Sequence, residues 1–213
     1  KKKKISSNLK MIYLTGISKI LTYGDKFTLF EKNTSQNPDL CDDEIVLGCT
    51  YNPISYEIIT VCLRKIKVWN LFNGKVKKVY EDPMNSEITA YAFDQCKKRV
   101  YIGDTSGKIK NFNMNNGNFL KDFESHNKEI VSLIYSDKLE MLISFSPDFI
   151  LKFHEDKELL ETSLLKELNL LQMNVKSINA AEYQRRLLLG SSTGQVKFYD
   201  YEHLRFDSEC ENA

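Results

Sequence analysis

The chain has 213 residues, of which 42% are hydrophobic and 28% charged, an ordinary balance for a globular protein with room for a sizeable core. Thirty Lys and Arg against 29 Asp and Glu leave a net charge of +1, so neither nucleic acid nor a membrane surface is an expected partner. No apolar run approaches the roughly 18 residues that span a bilayer.

Residues 1–10 read as a basic N-terminal extension opening on Lys1-Lys2-Lys3-Lys4. No apolar stretch follows, which argues against a signal peptide. The run reads as a solvated arm of a chain cut from something longer, with a targeting or tubulin-tail-binding arm as the alternative. Over 11–43 the pattern predicts three strands, Met11 to Thr15, Ser18 to Tyr23 and Lys26 to Lys32, then a polar loop from Asn33 to Asp43. Over 44–86 it predicts four, Glu44 to Tyr51, Tyr56 to Leu63, Lys65 to Asn70 and Lys75 to Tyr80, with the hairpin signal Asn73-Gly74 before the last.

The clearest stretch is 87–124. Ile88 to Phe93 alternates large and small residues, and Arg99 to Gly103, Lys108 to Asn113 and Asn118 to Phe123 follow across tight polar turns. Gly107 closes one of these turns, where a positive φ costs glycine nothing. Over 125–174 the strands are Ile130 to Tyr135, Glu140 to Ser144, Phe149 to Phe153 and one near Leu159–Leu165. Within it, Leu160, Leu164, Leu168 and Leu171 also fit a helical spacing. An outer strand with a longer loop is the favoured reading, and a helical insertion the alternative. Over 175–206 come Val175 to Tyr183, Arg185 to Ser191, Gln195 to Asp200 and the short Leu204 to Phe206, before a tail at 207–213.

One short pattern recurs through these stretches: Ile66-Lys67-Val68-Trp69-Asn70, Ile109-Lys110-Asn111-Phe112-Asn113, Ile150-Leu151-Lys152-Phe153-His154 and Val196-Lys197-Phe198-Tyr199-Asp200, with a weaker copy ending at Phe30-Glu31. Its aromatic markers at 30, 69, 112, 153 and 199 are 39, 43, 41 and 46 residues apart. A period of about 40–45 built from short strands and turns is the signature of a four-stranded propeller blade. One such meander cannot bury both faces, so it must stack on neighbours. The expected fold is all-β, a propeller of four-stranded antiparallel blades at roughly 11–43, 44–86, 87–124, 125–174 and 175–206, about five blades of a larger ring.

These residues resemble WD40 repeats. Trp69-Asn70, Phe112-Asn113, Phe153-His154 and Tyr199-Asp200 occupy the place of the family's closing aromatic–Asp pair, and only Tyr199-Asp200 keeps the acid. The turns Gly103 to Gly107 and Gly190 to Gly194 are similar to the family's, and Ser125-His126 stands where the family carries Gly-His. Thr105, Ser146 and Ser192 stand where the family places a turn Asp, which implies an incomplete buried hydrogen-bond network. The stretches Phe93 to Gly117 and Lys67 to Gly74 further resemble large axonemal WD-repeat proteins of cilia and flagella.

The five cysteines, Cys41, Cys49, Cys62, Cys96 and Cys210, form no CxxC pair, which suits a reducing compartment. No P-loop, G-x-S-x-G elbow or H-E-x-x-H occurs. His126, His154 and His203 are far apart and read as core or turn residues, so no metal and no cofactor is expected. Asp42-Asp43-Glu44 and Glu155-Asp156 read as solvated turns. The expectation is therefore a non-enzymatic scaffold whose partners are other proteins of a large assembly. The resemblance implies a cytoplasmic, cytoskeletal place in the ciliary axoneme, with tubulin or axonemal proteins as partners. A WD40 subunit of a cytosolic or nuclear assembly is the alternative. The first-to-second-strand loops Asp94–Lys98, Asp137–Lys138 and Gln184–Arg186 are the candidate docking loops.

Overall fold

The computed structural model describes residues 10–14, 19–23, 28–31, 45–157, 162–181 and 184–206. Among them every regular element is a β-strand except one turn of 3-10 helix at Leu171–Met173. The strands form five antiparallel sheets, each ordered as the chain runs. The chain divides into two compact units, Lys1–Glu87 and Ile88–Ala213.

The first unit holds a three-stranded sheet, β1 (Lys10–Leu14), β2 (Lys19–Tyr23) and β3 (Thr28–Glu31). It also holds a four-stranded sheet, β4 (Val46–Asn52), β5 (Glu57–Cys62), β6 (Lys65–Asn70) and β7 (Val76–Glu81). The three strands expected over 11–43 are present; the loop expected from Asn33 to Asp43 lies outside the described residues. Tyr23 joins Val46, Cys49, Ile58, Cys62, Trp69 and Leu71 in one apolar cluster. Cys49 and Cys62 thus act as small apolar groups inside strands.

The second unit holds three four-stranded sheets. They are β8 (Ile88–Phe93) to β11 (Phe119–Phe123) through β9 (Arg99–Asp104) and β10 (Ile109–Asn113); β12 (Ser132–Ser136), β13 (Met141–Phe145), β14 (Ile150–Glu155) and β15 (Ser163–Asn169); and β16 (Val175–Ala181), β17 (Arg186–Ser191), β18 (Val196–Asp200) and β19 (Arg205–Phe206). Two apolar seams hold them together. Tyr101, Ile109, Phe123, Ile130, Tyr135 and Leu142 form one, and Ile143, Leu151, Phe153, Leu187, Leu189 and Tyr199 lie in the other. Each fully buried side chain of this size contributes roughly 1.5–3 kcal/mol.

From Ser163 to Asn169 the leucine-rich interval is a strand. β15 alternates exposed and half-buried residues along its length, and pairs with β14 from Ile150↔Asn169 to Glu155↔Ser163. It starts later than the sequence suggests; 158–161 lie outside the described residues. Leu168 packs into the second seam, whereas Leu171 is 59% exposed.

The third-strand register needs one correction. Lys67 pairs with Thr60, Lys110 with Ile102, Lys152 with Ser144 and Lys197 with Leu189. Two residues beyond each lysine stand Trp69, Phe112, His154 and Tyr199. His154, not Phe153, therefore occupies the marker position, and the fourth copy reads Leu151-Lys152-Phe153-His154-Glu155. Two further observations agree. The ladder to the outer strand slips between Val68 and Trp69, Asn111 and Phe112, and Phe153 and His154. The residue two past each marker also donates its N–H to the second strand's approach: Leu71 to Tyr56, Met114 to Lys98, Asp156 to Glu140 and Tyr201 to Arg185. An acid thus follows the marker in Glu155 as well as in Asp200.

Candidate functional site

Two of the marker positions, Trp69 and His154, place hydrogen-bonding groups in the interior of their sheets. Trp69 is 4% exposed, and its indole Nε1–H donates to Thr60 Oγ1 at 2.9 Å across β6 and β5. In the sheet β12–β15 the corresponding places hold Ser144 and His154. Ser144 Oγ lies 2.7 Å from His126 Nε2 and 2.9 Å from His154 Nε2. His126 enters from the β11–β12 loop, where its backbone N–H donates to Gly107 O at 2.9 Å. Gly107 has φ +84, and a Cβ there would lie 2.3 Å from His126 O, so this close approach requires glycine. Gly194 has φ +83 at the matching turn of β17–β18, with open space around it.

The Ser144 hydroxyl has one proton to give. It donates to one Nε2, and the other histidine must donate its own Nε2–H to Oγ. Both rings are neutral in this arrangement. Burial pushes His126 down to about 4, with the Lys152 ammonium adding to it. Burial pushes His154 down to about 3, with His126 and Lys152 adding to it. Lys152, itself 7% exposed, donates to Glu124 Oε1 at 2.7 Å and to Ser125 O at 3.1 Å. The network in this sheet is a His–Ser–His chain joined through the two Nε2 atoms, and it is incomplete as expected, because the Nδ1 atoms of His126 and His154 are buried without a hydrogen-bond partner.

A second polar cluster joins the sheets β8–β11 and β12–β15. Asp156 occupies a place that is apolar in the other copies, held there by Leu71, Met114 and Tyr201, and is 1% exposed. Its Oδ2 accepts from Tyr101 Oη at 2.6 Å and from Arg99 Nη1 at 3.3 Å, and its Oδ1 lies 2.6 Å from Lys121 Nζ. The Tyr101 and Tyr135 rings stack at 4.3 Å, and Arg99 Nη2 donates to Tyr135 Oη at 3.3 Å. Burial, then the bond to Asp156, raises the Tyr101 phenol far above its ordinary value, and burial pushes Tyr135 up to about 12. Glu155-Asp156 is thus no solvated turn; Asp156 is a buried charge neutralised by two cations. Asp42 to Glu44 lie outside the described residues.

Phe112 is 9% exposed, Phe153 and Tyr199 are 0% exposed, and the last two stack at 5.4 Å. Asp200 caps the β18–β19 turn, accepting from the N–H groups of Glu202 and His203 and pairing with the His203 ring at 2.7 Å. His126 and His154 meet at Ser144, whereas His203 belongs to this separate turn. Among the described residues no group of three or more His, Cys, Asp or Glu side chains is placed to hold a metal. Of the candidate loops, two touch: Gln95 N–H donates to Asp137 Oδ2 at 2.9 Å. Gln184, Arg185 and Arg186 flank residues outside the described set. The role of Asp156 was missed because its neighbours in sequence are charged. Aligning on the N–H two past the marker would have placed it among Leu71, Met114 and Tyr201.

Four-stranded antiparallel meanders with this register are propeller blades, and solved structures agree. A chain of the computationally designed Ika8 protein superposes with a TM-score of 0.69 at 18% identity, over 89% of this chain and 57% of that one. A chain of the Mitotic Checkpoint Complex also gives 0.69, at 13% identity, over 85% and 60%. The fold is therefore all-β and of the β-propeller class. No family model matches the chain. Cilia- and flagella-associated protein 337 B of Tetrahymena thermophila is 30% identical over 188 residues, 88% of this chain. The chain spans 15% of that relative's length. No described helix is long and apolar enough to cross a membrane.

Proposed function

We propose that the chain is a non-enzymatic scaffold of WD40-type blades, a structural component of the ciliary axoneme that holds tubulin or microtubule-associated proteins. The likeness to a cilia- and flagella-associated protein over 88% of the chain carries this reading. The fold supports the scaffold part, because stacked blades give a rigid body whose loops can grip proteins over broad surfaces. The polar groups are consistent with a scaffold: His126, Ser144 and His154 are committed to one another in the interior, as are Tyr101 and Asp156. A catalytic group has to reach a substrate.

The test is quantitative mass spectrometry of salt-washed, demembranated axonemes against the soluble fraction of the source cell. Peptides of this chain are expected to remain with the doublets. Recovery only in the soluble or nuclear fraction would overturn the ciliary reading and favour a cytosolic or nuclear assembly.

A further inference from the structure

In three of the sheets the third strand pairs along most of its length with an outer strand: 65–69 with β7, 109–112 with β11 and 150–155 with β15. The last sheet differs. Among the described residues β19 pairs only with Tyr199 and Asp200, so the edge of β18 at 196–198 has no outer partner there. Val196 is 51% exposed, whereas its counterparts Ile66, Ile109 and Leu151 are at most 1% exposed. An open strand edge is a row of N–H and C=O groups ready to take another strand.

The chain continues directly from β19 into 207–213. In each of the three sheets the outer strand skips one residue beside the marker. Trp69↔Val76 is followed by Val68↔Lys78, Phe112↔Phe119 by Asn111↔Lys121, and His154↔Leu164 by Phe153↔Lys166. Tyr199↔Phe206 is the marker pair of the last sheet. The same skip passes over Asp207 and sets Ser208 opposite Phe198, Glu209 opposite Lys197 and Cys210 opposite Val196. Two features of that register recur elsewhere. An acid faces the lysine in Lys110↔Asp122 and in Lys152↔Glu167, the latter with Nζ 3.5 Å from Oε2. Beside it stands an apolar pair, Ile66↔Tyr80, Ile109↔Phe123 or Leu151↔Leu168, a place that suits a thiol as a small apolar group. Without the skip, Glu209 would face Val196 instead.

We propose that 208–210, in the segment after Phe206 that lies outside the described residues, dock on the open edge of β18 and complete the last sheet as its outer strand. Asp207, Glu209 and Glu211 then line the new edge, where charge discourages a foreign strand from pairing. The tail is thereby an intramolecular cover for an edge that would otherwise recruit other chains. Where the protein resides in the cell has no bearing on this pairing.

The test is Val196→Cys in the full protein, oxidised mildly, with cross-links mapped by peptide mass spectrometry. Paired residues of antiparallel strands have Cα atoms about 4.5–5.5 Å apart, within disulfide reach. An intramolecular bond from position 196 to Cys210 should form at least about fivefold more than from Gln195→Cys or Lys197→Cys, whose side chains lie on the opposite face. In the Val196→Cys background, Lys197→Glu should lower the yield about threefold by setting like charges opposite, and adding Glu209→Lys should restore it. Equal yields from all three positions, or no rescue by the charge exchange, would overturn the proposal. A bond that joins two molecules would assign the edge to the tail of a second copy and overturn it too. Hydrogen exchange of the unsubstituted protein judges the same pairing without any variant. Amides of 208–210 should exchange at least about tenfold slower than a free chain, and free-chain rates would overturn the pairing.

Discussion

Trp69 combines two contributions that substitution can separate. Trp69→Phe keeps an aromatic ring in the cluster around Ile58 and Cys62 but removes the donor to Thr60, and should cost about 1 kcal/mol. Trp69→Ala also leaves a cavity and should cost about 3–5 kcal/mol. Urea unfolding of both variants checks the order, and equal midpoints would show that the indole does not sit in this core. The two site glycines make a sharper pair. Both have positive φ, which costs a side chain roughly 1–2 kcal/mol. Only at Gly107 would a new Cβ also strike backbone, at His126 O and Lys128 O. Gly107→Ala should therefore lower the unfolding midpoint well beyond Gly194→Ala.

Between sheets, Asp156 is a buried carboxylate that ties β8–β11 to β12–β15. Removing it takes the ion-pair partner from Lys121 beside Tyr101, while partly exposed Arg99 keeps Asp94 at 3.8 Å, and breaking a buried pair costs up to about 3–5 kcal/mol. Asp156→Leu together with Lys121→Met restores the apolar residue type of the other copies. That double variant should lose much less than Asp156→Ala, measured by calorimetry. How far the sequence reveals these elements depends on what sets them. Alternation placed β8 and β10 to within a residue, because each strand buries one face and the turns between them carry strong signals. The interval around β15 was ambiguous because a spacing of four is even, so Leu164 and Leu168 share a face in a strand and in a helix alike. Pairing with β14 decides it. The marker register differs because Phe153 is an aromatic one place too early; the ladder to Ser144, the slip against β15 and the Asp156 N–H identify His154 as the counterpart of Trp69. The Asp156 cluster joins side chains up to 57 residues apart, which no local pattern carries.

At the scale of the molecule, the titratable groups are divided between the units. All three histidines fall in the unit Ile88–Ala213, and two of them are held neutral at about 4 and about 3 against an ordinary 6.5. The unfolded chain takes up these protons first. Stability from neutral His126 and His154 is therefore full above pH 6.5 and is lost as pH falls from there towards 4 and 3. Hydrogen exchange at pH 7 and pH 5, still above the carboxylate range, should show protection falling in β12–β15 and holding in β4–β7. An equal fall in both would remove the histidines as its cause.

The first unit has a different chemistry at its centre. Cys49 is 5% exposed in the cluster with Tyr23 and Trp69, and burial pushes its thiol up to about 12. Alkylation needs a thiolate in contact with solvent, so native Cys49 is silent to iodoacetamide until its sheet opens. Exposed Cys96 in the second unit should take the label at once. The order in which the two peptides gain label in a time course thus measures how often the first unit opens, a built-in clock that needs no engineered probe.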